Sequence, residues 1–388
     1  MIYLDNAATT PVRQEVLDVM MPLMSEGFAN PSSVYKAGRK ARAAIEEARG
    51  RISEIIGSAS REIYFTASGT ESANWAIKGV AEANTAKGKH IITSAIEHPA
   101  VLESCKYLKN NGWEITYLPV DTTGLVSAEN LDAAIRPDTV LCSIMFANNE
   151  IGVVQPIKEL ATIARRRGVL FHTDAVQAFG REKIDIEDMN IDLLSISAHK
   201  IYGPKGIGVL YVRTGVKIEP FVHGGGQERG RRSGTENVPA ISGFGLAASL
   251  MEAERDGETA RQTILRDNFI AQIQSRISHT SLNGHPTRRL CNNINISFDF
   301  IEGESVLLML DMKGFAASSG SACTSGALDP SHVLLAMGMT HERAHGSLRI
   351  SLGRETAAEE LDKLADELEV IVKRLREMSP LYEDQLKN

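Results

Sequence analysis

The sequence predicts an α/β protein: a large domain with a mainly parallel central sheet sandwiched by helices, followed by a smaller α+β C-terminal lobe. Three observations carry this. Short apolar runs alternate with amphipathic stretches from Glu62 to Val212, a long helical pattern follows, and the texture changes beyond residue 255. The strand-like runs are Glu62–Ala67, His90–Ser94, Glu114–Leu118, Val140–Ala147, Val169–Thr173, Leu193–Ser197 and Gly206–Val212. Between them Glu71–Ala86, Pro99–Asn110, Asn130–Ala134 and Ile157–Arg167 read as helices. In such sheets ligands gather at the carboxyl ends of the strands. From Pro239 to Ile277 apolar residues such as Ile241, Phe244, Leu246, Ala247 and Leu250 recur at helical spacing. The strand-like Asn293–Phe298 and the helix-like Ser305–Met312 and Glu359–Arg376 then define the smaller lobe, residues 256–388. No repeat, low-complexity tract or flexible linker separates the two lobes.

Composition narrows the function classes. At 388 residues and 43% hydrophobic content the chain can bury a large core, which excludes disorder and collagen-like structure. Lys plus Arg number 42 against 49 Asp plus Glu, a net charge of -7, so no global positive field recruits nucleic acid or anionic lipid. The N-terminus has no basic stretch leading into an apolar one, and no segment approaches the length of a membrane span, so a cytoplasmic protein without membrane contact is expected. Cys105, Cys142, Cys291 and Cys323 are too far apart for a CxxC site and read as reduced thiols, with no metal centre.

The residues that carry chemistry lie at strand ends. Lys200, in Ser197-Ala198-His199-Lys200-Ile201-Tyr202-Gly203-Pro204, follows an apolar strand, where partial desolvation makes an amine nucleophilic enough for Schiff-base chemistry. Alone it would read as a surface lysine. Asp174, in His172-Thr173-Asp174-Ala175-Val176-Gln177, ends another strand; such an acid needs a cationic partner, for which a protonated pyridine nitrogen would serve, or it caps a helix. Ser68-Gly69-Thr70-Glu71 opens a helix whose backbone N–H groups suit a phosphate, or is simply a capped turn.

Together with Glu97-His98-Pro99-Ala100, Asn148-Asn149-Glu150-Ile151-Gly152, Arg232-Ser233-Gly234-Thr235-Glu236-Asn237 and Ser318-Ser319-Gly320-Ser321-Ala322-Cys323-Thr324-Ser325, these segments resemble the NifS/IscS-type cysteine desulfurases. That group belongs to the class V aminotransferases among the fold-type I enzymes that use pyridoxal 5'-phosphate. The resemblance runs from Tyr3-Leu4-Asp5-Asn6-Ala7-Ala8-Thr9-Thr10 to Ser347-Leu348-Arg349-Ile350-Ser351-Leu352-Gly353-Arg354, nearly the whole chain. The order and spacing of the motifs carry it. Two departures flank Asn30: Ala29 stands where glycine is usual and Tyr35 where histidine is usual.

The resemblance implies a PLP-binding domain of residues 14–255 and a small domain of residues 1–13 and 256–388. It implies Lys200 as the lysine that bonds the cofactor, Asp174 beside the ring nitrogen, Gln177 at the phenolic oxygen, and His98 stacked on the ring and moving protons. Asn149 would lie beside cofactor and substrate. Thr70, Ser197 and His199 would hold the phosphate, and Thr235 would reach the phosphate of a partner subunit, making a homodimer. Asn30 and Arg349 would grip the carboxylate of L-cysteine. Cys323, among serines that cannot build a core, is expected on a mobile, exposed loop as the thiol that takes sulfur as a persulfide. Sulfur would pass to an acceptor such as an iron-sulfur scaffold.

The other thiols and His172 read as structural, Arg165-Arg166-Arg167 as a solvated helix end, and Gln227–Arg232 as a basic stretch that does not bind nucleic acid. His341 and His345 acquire no role. The alternatives are a selenocysteine lyase or another class V enzyme on the same scaffold and, from a different class, a cofactor-binding scaffold without turnover, against which the joint presence of Lys200, Asp174 and Cys323 argues.

Overall fold

A computed structural model describes residues 1–319, 330–380 and 382. Its strands are β1 (Ile2–Tyr3), β2 (Ile63–Thr66), β3 (His90–Ser94), β4 (Glu114–Leu118), β5 (Thr139–Ser143), β6 (Leu170–Asp174), β7 (Leu193–Ser197), β8 (Gly208–Val212), β9 (Thr280–Leu282), β10 (Asn293–Phe298), β11 (Phe315–Ala316) and β12 (Ser347–Ser351). Its helices are α1 (Gln14–Ser25), α2 (Lys36–Ile56), α3 (Gly69–Asn74), α4 (Val80–Ala83), α5 (Pro99–Asn110), α6 (Ala128–Ala134), α7 (Ile157–Arg166), α8 (Val238–Arg276), α9 (Gly303–Met312), α10 (His332–Ala336), α11 (His341–His345) and α12 (Ala358–Glu377). A π-helical stretch, Trp75–Gly79, joins α3 to α4. No helix among the described residues is long and apolar enough to cross a membrane.

All seven strands read between Glu62 and Val212 are present, and they form one sheet in the order β2-β8-β7-β6-β5-β3-β4. Pairing is parallel from β7 through β4, whereas β8 runs antiparallel to both β7 and β2. β2, β3, β5, β7 and β8 are buried along their whole length; strands buried on both sides need helices on both faces, and the side-chain alternation distributes them accordingly. Val209 and Tyr211 of β8 point into a core with α2, α7 and α8; Leu210 and Val212 point into a second core with Trp75, Ile77, Val101 and Leu108.

The apolar run Val140–Ala147 is strand only as far as Ser143; beyond it Met145, Ala147 and Asn149 line the site. The sequence reading missed helices α1 and α2. The buried face of α2 alternates Ala41 and Ala48 with Ile45 and Ile52, and the small residues are there for close approach. A Cβ at Gly245 of α8 would stand 2.7 Å from Ala48, so the helices touch backbone to backbone.

The smaller lobe is an antiparallel sheet, β12-β10-β9, covered by α9, α12 and the end of α8. Leu361, Leu364, Ala365, Leu368, Ile371 and Val372 give α12 its inward stripe. The chain's beginning joins this lobe: β1 pairs with β11 in parallel, and Asp5 bridges to Ser351.

One ion pair is sealed inside the large core. Arg49 is 1% exposed and donates to both carboxylate oxygens of Glu228 at 2.9 and 2.8 Å and to the carbonyl of Ile63 at 2.7 Å. Glu228, which also accepts from the amide of Phe65 at 2.9 Å, sits with φ +44°, outside the ordinary right-handed regions. The stretch read from sequence as basic therefore turns one acid inward, and its Arg232 pairs with Glu71 at 2.8 Å. Removing one partner strands a charge in the core, so Arg49→Ala is expected to cost roughly 3–5 kcal/mol, read as a lowered urea midpoint in equilibrium unfolding.

Candidate active site

Five strands of the large sheet end at one cavity of about 240 Å³. Beyond β2 it receives Ser68, Gly69 and Thr70, beyond β3 His98, beyond β5 Met145 and Asn149, from β6 Asp174 with Gln177, and from β7 Ser197, His199 and Lys200. Arg349 of β12 closes it from the smaller lobe, and Ala7 and Ala8 cross over it. This is the carboxyl-end crevice that open parallel sheets provide.

The Lys200 amine donates to the carbonyls of Ala7 and Ala8, at 2.5 Å each, after a short 3-10 turn that lifts it off β7. Asp174 is buried, and its Oδ1 accepts from the amide of Val176 at 3.0 Å. No helix starts there, so the acid shapes a turn and does not cap a helix. Burial pushes its carboxyl up to about 6, against the opposing charge of Lys200. Gln177 donates to the Ala7 carbonyl at 2.9 Å.

His98 caps α5, its Nδ1 accepting from the amide of Ala100 at 3.1 Å, which puts the ring hydrogen on Nε2. Burial, reinforced by Lys200, lowers it to about 4, so the imidazole is neutral at physiological pH. His199 is lowered to about 4 for the same first reason and meets the Thr9 hydroxyl at 3.2 Å. Arg349 is 2% exposed; its guanidinium donates to Asp5 at 2.7 Å and to the Asn149 carbonyl at 3.1 Å, while Nε has no partner among the described residues.

Of the residues nominated from sequence, Lys200, Asp174, Gln177, His98, Asn149, Thr70, Ser197, His199 and Arg349 line this one cavity. Asn30 and Thr235 do not. Asn30 is exposed and accepts from the amide of Ser32, and Thr235 is exposed on a separate loop. Cys323 lies outside the described residues. Cys105, Cys142 and Cys291 are buried, with burial pushing the first two thiols up to about 12. His172 is wholly buried between the hydroxyls of Ser143 and Ser195.

The sequence reading missed the carbonyls of Ala7 and Ala8, which no side-chain pattern marks, and Glu97, for which a signal existed: an acid before His-Pro at the end of an apolar strand. Glu97 is fully buried. Its Oε1 accepts from the Ser94 hydroxyl at 2.6 Å and the Met145 amide at 2.8 Å, tying β3 to the chain beyond β5, and Oε2 has no partner among the described residues.

A mainly parallel sheet with an amine, a buried acid and a neutral imidazole at its strand ends defines an α/β enzyme of the fold-type I architecture. Comparison with known proteins agrees. The model of the aminotransferase class-V family matches residues 2–364. A cysteine desulfurase IscS of Methanosarcina thermophila is 56% identical over 98% of this chain and 94% of its own. A solved NifS-like protein superimposes with a TM-score of 0.91 at 38% identity, covering 96% of this chain and all of the other. A structure described as SspA in complex with cysteine superimposes with a TM-score of 0.81 at 40% identity, covering 91% of this chain and 99% of the other. The chain belongs to the aminotransferase class-V family.

Burial raises the Glu97 carboxyl to about 8, with Asp174 adding to the shift. The folded protein thus keeps a proton that the unfolded chain releases near the ordinary carboxyl value, and stability falls as pH rises across that window. In Glu97→Gln this dependence is expected to vanish, so its urea midpoint gains on that of the native protein between pH 5 and 8. Parallel midpoint profiles would show Glu97 to be ionised throughout.

Proposed function

We propose that this protein is a cysteine desulfurase that converts L-cysteine to L-alanine and keeps the sulfur on Cys323 as a persulfide. The observation that carries the reading is the meeting of Lys200, Asp174 and His98 in one cavity, in a chain whose relatives of more than half identity are named cysteine desulfurases.

The donor set fits pyridoxal 5'-phosphate. Asp174 is a buried acceptor suited to a protonated ring nitrogen, Lys200 supplies the covalent amine, and Thr70, Ser197 and His199 present hydroxyl and imidazole groups suited to a phosphate. When bound, the cofactor supplies a sink for the electron pair left at the substrate's Cα. Every other task falls to the chain. Gln177 would bond the phenolic oxygen, and His98, a neutral imidazole lining the same cavity, would lie against the ring and could relay a proton. Lys200 takes and returns the proton at Cα. Arg349 grips the substrate carboxylate, its charge permanent and its fork matched to that group, with Asn149 beside it. The Cys323 thiolate forms a bond to the substrate sulfur as the Cβ–S bond breaks and its electron pair stays with carbon.

Thr235, exposed and away from the cavity, would find its work in a second copy, and Asn30 is likewise exposed outside the cavity. A homodimer is supported by the exposed apolar side chains of Met21, Met24, Phe28, Val34 and Tyr35, gathered in and after α1. Thr235 would then serve the partner's phosphate and Asn30 the substrate carboxylate. On this reading the protein works in the cytoplasm, divided into residues 14–255 and a small domain of 1–13 with 256–388, and hands its sulfur to an acceptor such as an iron-sulfur scaffold.

Borohydride reduction followed by peptide mapping should place a pyridoxyl group on Lys200, and Lys200→Ala should abolish it; label on another lysine would overturn the assignment. Asp174→Ala saturated with cofactor should lose most turnover, and near-native rates would leave the acid as a turn former only.

Cys323→Ala should keep the cofactor and still exchange the cysteine α-proton with solvent, yet release at least a hundredfold less sulfide, the scale of a removed nucleophile. Sustained alanine production from cysteine by that variant would sink the desulfurase reading. Activity confined to selenocysteine would make the protein a selenocysteine lyase.

A further inference from the structure

Asn149 lines the cavity at the end of the stretch that follows β5, yet the turn it opens is held by the smaller lobe. The carbonyls of four consecutive residues accept hydrogen bonds from that lobe. Arg349 of β12 donates to Asn149 at 3.1 Å, and Asn293 and Asn295 of β10 donate to Glu150 at 3.2 and 3.0 Å. Arg289 donates to Ile151 at 3.1 Å, and the amide of Leu290 to Gly152 at 2.8 Å. On the inner side the Asn148 side chain accepts from the amides of Glu150 and Ile151 at 2.8 and 3.0 Å and donates to the Ile96 carbonyl at 2.8 Å. The approach is close: a Cβ at Gly152, whose φ is +74°, would stand 2.7 Å from the Asn293 side chain.

The donors are fixed in turn. Asn295 stands directly opposite Arg349 in the antiparallel pairing of β10 with β12, so the two side chains share a face of the small sheet, and Asn293 shares it at a spacing of two. Asn295 is fully buried, and its Oδ1 accepts from Asn283 at 2.7 Å, which also donates to the Ser297 hydroxyl at 2.8 Å. A carbonyl only accepts, so the Asn295 amide turns its nitrogen to Glu150 and its oxygen to Asn283. Arg289 is 5% exposed, and its side-chain hydrogen bonds all go to carbonyls, those of Ile151, Asn283 and His285. Burying amides and a guanidinium costs free energy that apolar side chains of the same size would not, and what the polar groups add is direction.

We propose that Asn295, supported by Asn293 and Arg289, is a positioning residue that holds Asn149 in place beside Arg349, so that the two face the substrate carboxylate as one unit of the smaller lobe. The proposal rests on the reading of Asn149 and Arg349 as substrate-binding residues. Asn295 touches neither cofactor nor substrate and acts through the 149–152 turn. A shift of the smaller lobe would carry Asn149 and Arg349 together and preserve the spacing between them.

The test is a double-mutant cycle on the holoenzyme that combines Asn295→Leu, which keeps the shape and removes the donor, with Asn149→Ala. Hydrogen exchange of the backbone amides in residues 148–154, read by mass spectrometry, should speed up about tenfold in Asn295→Leu, the scale of one lost hydrogen bond. The kcat/KM for alanine release from L-cysteine should fall about tenfold in that variant, yet by less than about twofold where Asn149 is already alanine, because the group being positioned is then gone. Asn293→Ala removes one of the two side-chain donors to Glu150 and spares the Asn283 pair. It should raise exchange about threefold, and the same cycle run with it decides the matter if Asn295→Leu does not fold. Native exchange rates in these variants would overturn the clamp. Equal falls in kcat/KM with and without the Asn149 side chain would overturn its action through Asn149, since they mark damage spread over the site or carried by Arg349 alone. Failure of the functional reading is separately visible, because the unaltered holoenzyme would then release no alanine from L-cysteine, whereas the exchange comparison does not depend on turnover.

Discussion

A guanidinium cannot give up its charge, so burying one obliges the fold to bring compensating groups to it. Arg349 sets that obligation here. Its side chain draws the Asp5 carboxylate from the start of the chain and the Asn149 carbonyl from the large sheet, while its backbone holds Ser318. Once Asp5 is fixed, the residues after it have little freedom. Asn6 and Ala7 bond to Ser351, the carbonyls of Ala7 and Ala8 receive Gln177 and Lys200, and Thr9 and Thr10 reach His199. The same short segment thus seals the two lobes together and roofs the cavity.

The electrostatics of that cavity follow from the burial of its groups. Burial moves Asp174, Glu97 and Glu150 toward the protonated form and His98 and His199 toward the neutral one. Desolvation thus works against charge on acids and bases alike, while the Arg349 guanidinium keeps its charge beside the Asp5 carboxylate. The neutral imidazole of His98 adds no repulsion toward the Lys200 amine, and Asp174, the most readily ionised of the three acids, is the one that lines the cavity.

Much of this was legible in the sequence because it is written in side chains with a period. The seven strands of the large sheet and the stripes of α8 and α12 follow from apolar spacing, and the motifs at strand ends point to the cavity residues. What escaped has physical reasons. Helix α2 buries alanines because it lies against Gly245, and alanine gives a weak apolar signal. Met145 and Ala147 looked like strand because a buried residue beside a cavity is as apolar as one in a sheet. The Ala7 and Ala8 carbonyls are backbone groups and leave no trace in residue identity. Asn30 and Thr235 belong to motifs of the site yet stand apart from the cavity of a single chain.

The roof over the cavity also fixes a sequence of events during synthesis. Asn6 is bonded to Ser351 across 345 positions, so residues made early must wait for the last strand of the smaller lobe to emerge before they can settle. Contacts of such range form late, because a long stretch of chain has to be ordered before they repay its entropy. The large sheet can assemble as it leaves the ribosome, with Lys200 and Asp174 already at their strand ends, but the pocket stays unroofed. A polypeptide interrupted before Ser351 would therefore hold nearly all the chemical groups of the site and still lack the enclosure that gives them their properties.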